Sequence, residues 1–362
     1  MMDWKEYKLS ELAEITSSKR IFYSDYVLSG IPFYRSKEVI EKALGQSTNE
    51  TLYISIDKFT EIKEKFGAPE TGDLLVSAVG ERAGIPFLVK DLGDFYFKDG
   101  NLIWLRNIKV DLVAEFFCYW LRSNIGQQTL ESIMIGSAQK ALTIIGLKNL
   151  VIQIPIPSYQ KSIASILSSL DDKIDLLHRQ NATLEAMAEA LFRQWFVVEA
   201  RKEWEEATLG EYVTCINGVS YKSVELNPST TALVTLKSFE RTGGFRLDGF
   251  KEFTGKYKDH HIVEEGDLVV AHTDITQDAE VIGNPVMVVS DPRFDTMVIS
   301  MDLVKVVPKD TVLSNEFLYL LMKTREFKEH CLGYSNGSTV LHLNKKAVSA
   351  YEFLKPSSEK II

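Results

Sequence analysis

Apolar residues recur at three- and four-residue intervals through positions 158–196, SYQKSIASILSSLDDKIDLLHRQNATLEAMAEALFRQWF. Ile163, Leu170, Leu177, Leu184 and Leu191 fall at one core position of a heptad, and Leu167, Ile174, Asn181, Ala188 and Trp195 at the other. A seam this regular predicts a coiled-coil helix rather than an ordinary amphipathic one. No glycine or proline interrupts it, and Pro155 and Pro157 stand just ahead as a start signal. At 1.5 Å per residue the helix runs roughly 55–60 Å. The lone polar core residue, Asn181, is of the kind that sets register and partner at some cost in stability. So narrow a stripe calls for a partner helix.

The flanks alternate short apolar runs with turn residues. Trp4 to Leu12 and Ile15 lead to a polar loop, and Ile-Pro-Phe-Tyr-Arg follows at 31–35. Gly-Asp-Leu-Leu-Val-Ser at 72–77 reads as a turn into a buried strand. Residues 84–89 and 102–105 read as further strands, 114–123 as a helix, 136–140 as a loop and 150–156 as a last strand.

After the long helix the pattern restarts. Trp204 to Glu211 matches the opening at Trp4, and Gly-Asp-Leu-Val-Val at 266–270 matches 72–76. The segment 284–289 falls where 85–89 fell. The helix at 315–324 matches 114–123, and Gly337-Ser338 matches Gly136-Ser137, at one constant offset. Residues 355–362 resemble 156–163, so a second long helix is expected to begin at 357–362 and to be cut short. An ordered internal repeat organises the whole chain. The expected parts are 1–157, the spacer helix 158–200, 201–356 and the helix start 357–362.

Composition adds limits. The 362 residues suit two domains and a connector, and 45% hydrophobic content suffices for sizeable cores. No apolar run is long enough for a membrane span and no signal peptide follows MMDW, which implies a cytoplasmic setting. Cys118, Cys215 and Cys331 are far apart and fit no disulfide or metal spacing; they read as small apolar residues of a reduced protein. The net charge of −9 argues weakly against nucleic acid, but a local basic face is what matters.

Catalytic motifs are absent from the pattern. Gly255-Lys256 lacks the earlier glycine of a nucleotide-binding loop. Asn227-Pro228-Ser229-Thr230 and Asn284-Pro285-Val286-Met287 do not spell the signature of an adenine methyltransferase. His260, His261, His272 and Asp274 fit no metal-ligand spacing. The reading is therefore of a non-enzyme with no cofactor of its own.

Several loops mix basic, small polar and aromatic residues. In the first copy these carry Ser18, Lys19, Arg20, Tyr34, Arg35, Lys37, Arg82, Ser137, Gln139 and Lys140. In the second they carry Tyr221, Lys222, Lys237, Ser238, His272, Thr273, Asn336, Ser338 and His342. Any one is an ordinary solvated loop. Recurrence at matched places suggests DNA contact, with Arg for guanine edges, Asn and Gln for adenine, and Ser, Thr and Lys for phosphates.

The I-P-x-P run into the helix, its exit Ala190-Leu191-Phe192-Arg193-Gln194-Trp195-Phe196-Val197, the GDL[LV]V blocks and the GS loops resemble the specificity subunit of type I restriction–modification systems. The likeness covers essentially the whole chain. It implies an α/β (α+β) fold: two target-recognition domains of mixed strands and short helices, joined by one long coiled-coil helix. Each domain would read half of a bipartite site in double-stranded DNA. The helix would set the spacing and dock modification (methyltransferase) subunits, with the restriction subunit joining through the complex. S-adenosylmethionine and ATP would be bound by those partners. Two departures stand out: the second helix is cut short, and Gln139 has no counterpart in the second copy. With the seam uncovered, a homodimer through Ile163, Leu167, Leu170, Ile174, Leu177, Asn181, Leu184, Leu191 and Trp195 is a further expectation. Two rival readings remain: a coiled-coil scaffold whose flanking domains bind protein, and the recognition half of a type IIG/IIB-like restriction–methylation system.

Overall fold

The computed structural model describes residues 4–45, 48, 50–136, 139–200, 204–240, 243–276, 278–337 and 340–356. The expected helix start at 357–362 lies outside them. Contacts divide the chain into two compact units, Met1–Leu177 and His178–Ile362. The boundary between them falls within the long helix.

In the first unit an antiparallel sheet has the order Glu14–Thr16, Leu102–Arg106, Leu74–Ser77, Pro86–Leu88. A second sheet has the order Tyr26–Val27, Leu52–Ile54, Ile31–Tyr34, Tyr96–Phe97, and its last pair is parallel. A ribbon of Trp4–Lys8 on Val151–Pro155 brings the two ends of the unit together. The Leu-Leu-Val-Ser strand is buried on both faces. Leu74 and Val76 face one core, with Phe117, Leu121 and Leu130 of the helices Ala114–Arg122 and Asn124–Ile133. Leu75 faces the other core, with Phe87, Phe97 and Trp104. Period-two alternation thus becomes a continuous apolar run wherever both faces are covered.

The second unit repeats this plan. Its antiparallel sheet runs Val213–Asn217, Leu303–Pro308, Leu268–Ala271, Pro285–Met287. Its other sheet also contains one parallel pair, Thr231–Val234 on Thr296–Ile299. The closing ribbon is Glu205–Thr208 on Glu352–Lys355. Leu268 and Val270 face one core and Val269 and Ala271 the other. The duplication read from the sequence is therefore a duplication of the antiparallel sheet's order and of the closing ribbon; the other sheet keeps a parallel pair but holds it at the edge in the first unit and at the centre in the second. Among the described residues no helix is long and apolar enough to cross a membrane.

The long helix is Pro157–Arg193, closed by a π-helical turn at Gln194–Val198. Pro157 occupies the first helical position, where its missing N–H costs nothing. Gln160 is wholly buried and ties the start to the first unit. Its Oε1 accepts from Val113 N at 2.8 Å, and its Nε2 donates to the carbonyls of Asp111 at 2.8 Å and Pro155 at 2.7 Å. Ala164 and half-buried Ile163 then pack on that unit's core. In the second half Phe192 is buried and Phe196 half-buried, both with ring centroids 5.2 Å from Phe317. Lys323 Nζ meets Glu185 at 2.6 Å and Glu189 at 2.5 Å, and the Tyr319 hydroxyl donates to Glu185.

The anchors Ala164, Phe192 and Phe196 lie outside the heptad seam, and only the seam's first residue, Ile163, joins them against the first unit's core. The seam itself faces solvent: Leu170, Leu177, Leu184 and Leu191 are 55, 44, 62 and 45% exposed. Ile174 and Trp195 are about as open, Asn181 is exposed, and Leu167 and Ala188 are half-buried. The helix therefore carries two apolar faces. One holds it to its own units, and the other has no cover among the described residues.

Candidate nucleic-acid interface

In each unit three segments meet at one tip. In the second unit a small sheet has the order Thr273–Asp274, Leu341–Leu343, Ser335–Asn336. Its register sets Thr273, His342 and Asn336 in one row. Leu341 and Leu343 pack on the core, so alternation turns His342 to the opposite face, with Asn336 beside it. Both of these side chains are exposed. In the first unit Val79, Ala141 and Ile135 are bridged in the same order. Leu142 faces the core there, and Ile135 is 59% exposed. The two tips even share their outer hydrogen bonds: Leu142 N donates to Ala78 O, and Leu343 N to His272 O, each at 2.8 Å.

Glycine is required where these loops turn. Gly136 and Gly337 have φ of 96° and 128°. A Cβ at Gly136 would sit 2.4 Å from Gln139 O, and one at Gly337 2.0 Å from Val340 O. Only a residue without a side chain fits both the φ and the contact. Ser137 and Ser338, expected as phosphate contacts, lie outside the described residues.

The two tips are pinned by different chemistry. In the first unit buried Ser77 donates its hydroxyl to Arg82 O and accepts from Ile85 N at 2.9 Å. The Arg82 side chain stays in solvent, as do Gln139 and Lys140. Lys140 makes an exposed pair with Glu131 at 3.4 Å, which stabilises little. In the second unit Asp274 does the pinning. It accepts from the backbone N–H groups of Thr276, Val281 and Ile282 at 2.7, 2.6 and 2.9 Å. Burial opposes ionisation of Asp274, but these bonds and that of the Thr276 hydroxyl outweigh it and hold the carboxyl below its ordinary range. Lys328 reinforces the loop by donating to Ile282 O at 2.6 Å and Asn284 Oδ1 at 2.7 Å.

Several expected contact residues are instead structural. Tyr34 is 8% exposed and packs with Phe95, because it ends a strand whose last two residues face the core. Ser18, Ser238, His272 and Thr273 are likewise buried. The Thr273 hydroxyl donates to Asp302 at 3.0 Å. Burial lowers the pKa of His272, against the opposing effect of a hydrogen bond that its ring donates to the Asn344 backbone. None of these five side chains presents a surface to a duplex. Polarity in the sequence suggested contact; each polar group is spent on, or enclosed by, the fold.

Arg35 is half-buried and clamped on Glu38, with Nε 3.0 Å from Oε1. Burial disfavours the Glu38 charge, yet Arg35 holds its carboxyl low. Arg20 is exposed and 3.0 Å from Asp99. Its loop adjoins the first tip: Ser17 Oγ donates to Leu102 O at 2.9 Å, and Ala78 N to Asn101 O at 2.9 Å. Lys19, Lys37, Lys222 and Lys237 are exposed. Lys19 lies 4.6 Å over Phe66, Lys37 pairs loosely with Glu41 at 3.8 Å, and half-buried Tyr221 accepts from Lys251 at 3.1 Å. The residue that sequence reasoning missed is Ile135. Matching the loops by polar residues passed over it, although the constant offset relating the two GS loops places it opposite Asn336.

The first unit also holds a cleft of about 500 Å³ lined by Lys19, Asp73, Tyr96, Trp104 and Arg106 among others. Trp104 Nε1 donates to Asp73 at 2.8 Å, and Lys19 N to the Tyr96 hydroxyl at 2.9 Å. At the corresponding place in the second unit Lys305 bridges to Asp267 at 2.6 Å.

A family model described as the type I restriction modification DNA specificity domain matches residues 1–186. The type I restriction enzyme HindI specificity subunit of Haemophilus influenzae is 28% identical over 204 residues, which cover 54% of this chain and 41% of that protein. The MjaIX specificity subunit of Methanocaldococcus jannaschii is 36% identical over 94 residues, 25% of this chain and 22% of that protein. The chain thus spans well under half the length of these curated relatives. Among solved structures, a type I restriction-modification S subunit from M. genitalium matches with a TM-score of 0.54 at 17% identity, covering 99% of this chain and 86% of that one. That likeness is one of fold.

Proposed function

Since the chain belongs to the family of type I restriction modification DNA specificity domains, we propose that it reads duplex DNA with its two tips, one half of a bipartite site to each unit. The observation that supports this most is the tip built twice. Two units repeat one sheet plan and one three-segment junction, yet carry different exposed residues on it: Arg82, Gln139 and Lys140 in the first, Asn336 and His342 in the second. A shared frame with exchanged tips suits two readers of different sequence.

The chain performs no chemistry of its own in this reading. Methyl transfer and cleavage, with S-adenosylmethionine and ATP, belong to partner subunits. The open seam from Leu170 to Trp195 is the surface on which a helix of a modification subunit, or of a second copy, would lie. A strip of leucines this long is rarely left bare.

The test is the salt dependence of duplex binding by the purified chain. Each phosphate contact contributes about 0.9 to the slope of log affinity against log salt. Replacing Arg82 and Lys140 by Ala should lower that slope by about two and weaken binding to all sequences alike. Affinity indifferent to salt, or unchanged in the double variant, would favour the protein-binding scaffold instead.

A further inference from the structure

We infer that the two tips read their bases by opposite chemistry: the first unit by apolar contact of Ile135 with a thymine methyl, the second by hydrogen bonds from Asn336, flanked by His342, to a purine edge. This rests on the DNA-reading function proposed above.

The strand register places the two residues equivalently. Ile135 and Asn336 occupy the same place in the two junctions, each paired to the middle segment, at Ala141 and His342 respectively. Both side chains stand on the side away from the core, since their neighbours Leu142 and Leu343 are buried in it. An isoleucine 59% exposed on a loop tip loses apolar stabilisation unless something covers it. Its surroundings are polar, with exposed Arg82, Gln139 and Lys140 on the adjoining segments beside the acidic Glu81 and Glu131, a setting suited to a polar, hydrogen-bonding partner such as a DNA groove rather than to an apolar protein surface. In the major groove the apolar group on offer is the thymine methyl.

Among the described residues the second unit's row carries no apolar side chain at the matching place; its exposed isoleucine, Ile275 at 76%, lies outside the row, one residue past Asp274. Its row offers an amide that can donate and accept at once, and an imidazole beside it. Asn matches the N6/N7 pair of adenine. The adjoining Thr273 is committed to Asp302 and supports rather than reads. The first unit's row, Val79–Ala141–Ile135, contains no hydrogen-bonding side chain at all. The two tips are therefore chemically complementary to different bases although their backbones are alike.

The test is selection from a random duplex pool by the full chain at low salt, followed by sequencing of the enriched duplexes. The parent chain should enrich a two-part site with a thymine in one half and a purine, adenine foremost, in the other. Ile135→Ala should lower the thymine preference about three- to fivefold at one position, and Ile135→Val should retain most of it. Asn336→Ala should lower the purine preference about 5- to 150-fold at one position of the other half. Unchanged circular dichroism of the variants separates these effects from unfolding. A parent chain that enriches no sequence overturns the DNA-reading function itself. A parent that enriches a two-part site which neither Ile135→Ala nor Asn336→Ala alters overturns the assignment of these readers while leaving that function standing.

Discussion

Lys323 is the clearest place to perturb how the helix is held. Its side chain is 15% exposed and its Nζ lies 2.6 Å from Glu185 and 2.5 Å from Glu189. Burial disfavours the ammonium charge, but the two carboxylates outweigh it and raise the Lys323 pKa. Burial likewise works against the Glu185 charge, while Lys323 and Tyr319 hold its carboxyl low. Burial and then the bond to Glu185 push the Tyr319 hydroxyl up to about 12. Lys323→Met keeps the stem and removes both charge-assisted bonds. Such bonds contribute about 1.5–3 kcal/mol each, discounted here because the glutamates are 35 and 41% exposed. The expected loss is about 2–3 kcal/mol. Hydrogen exchange followed by mass spectrometry reads this locally: amides of 178–193 should exchange about 30- to 150-fold faster, and those of 158–170 should not change. The pH dependence follows from the directions of the shifts. Glu185, held below its ordinary 4.5, contributes above that pH and loses its contribution as pH falls through the lowered folded value. Lys323, raised above 10.5, contributes below that pH and loses its contribution only as pH rises through the higher folded value. The penalty of Lys323→Met should therefore be flat from about pH 5 to 10 and shrink in acid. Acceleration below about threefold, or equal acceleration in both halves of the helix, would refute the reasoning.

Gln160→Leu should strand Val113 N–H and the carbonyls of Asp111 and Pro155, costing about 2–4 kcal/mol in urea unfolding; a loss below about 0.5 kcal/mol would mean that water replaces the amide. His272, lowered chiefly by burial from 6.5, contributes stability above that pH that is lost as pH falls through its folded value. Amide exchange in 268–274 should accordingly quicken in mild acid, and His272→Gln should remove that dependence; an identical pH profile in the variant would exclude the histidine as its source. In sedimentation at micromolar concentration the parent chain should self-associate, and Leu177→Lys with Leu184→Lys should abolish this, since each exposed leucine contributes roughly 1.5–3 kcal/mol when covered. A parent that sediments as a monomer like the variant would leave the seam to a partner of another kind.

What local pattern encodes was readable from the chain alone. The heptad from Ile163 to Trp195 marked the helix, because helix geometry depends on spacing and on the absence of breakers, both properties of neighbours in sequence. The repeat was readable too: a Gly-Asp-Leu turn feeding a strand and a Gly-Ser loop recur because each is a local solution to a local need, as the positive φ of Gly136 and Gly337 shows. Which polar residues reach solvent was not readable. Tyr34, Ser18, Ser238, His272 and Thr273 have the composition of contact residues, but burial depends on segments far away in sequence, such as Asp302 for Thr273 and Asn344 for His272. Nor did spacing separate the helix face that binds its own units, through Ala164, Phe192 and Phe196, from the seam that stays open. Two apolar stripes on one helix look alike in sequence, and only the packing partner distinguishes them. The row that joins Ile135 to Ala141, and Asn336 to His342, is a matter of strand register between distant segments, which tertiary structure alone decides.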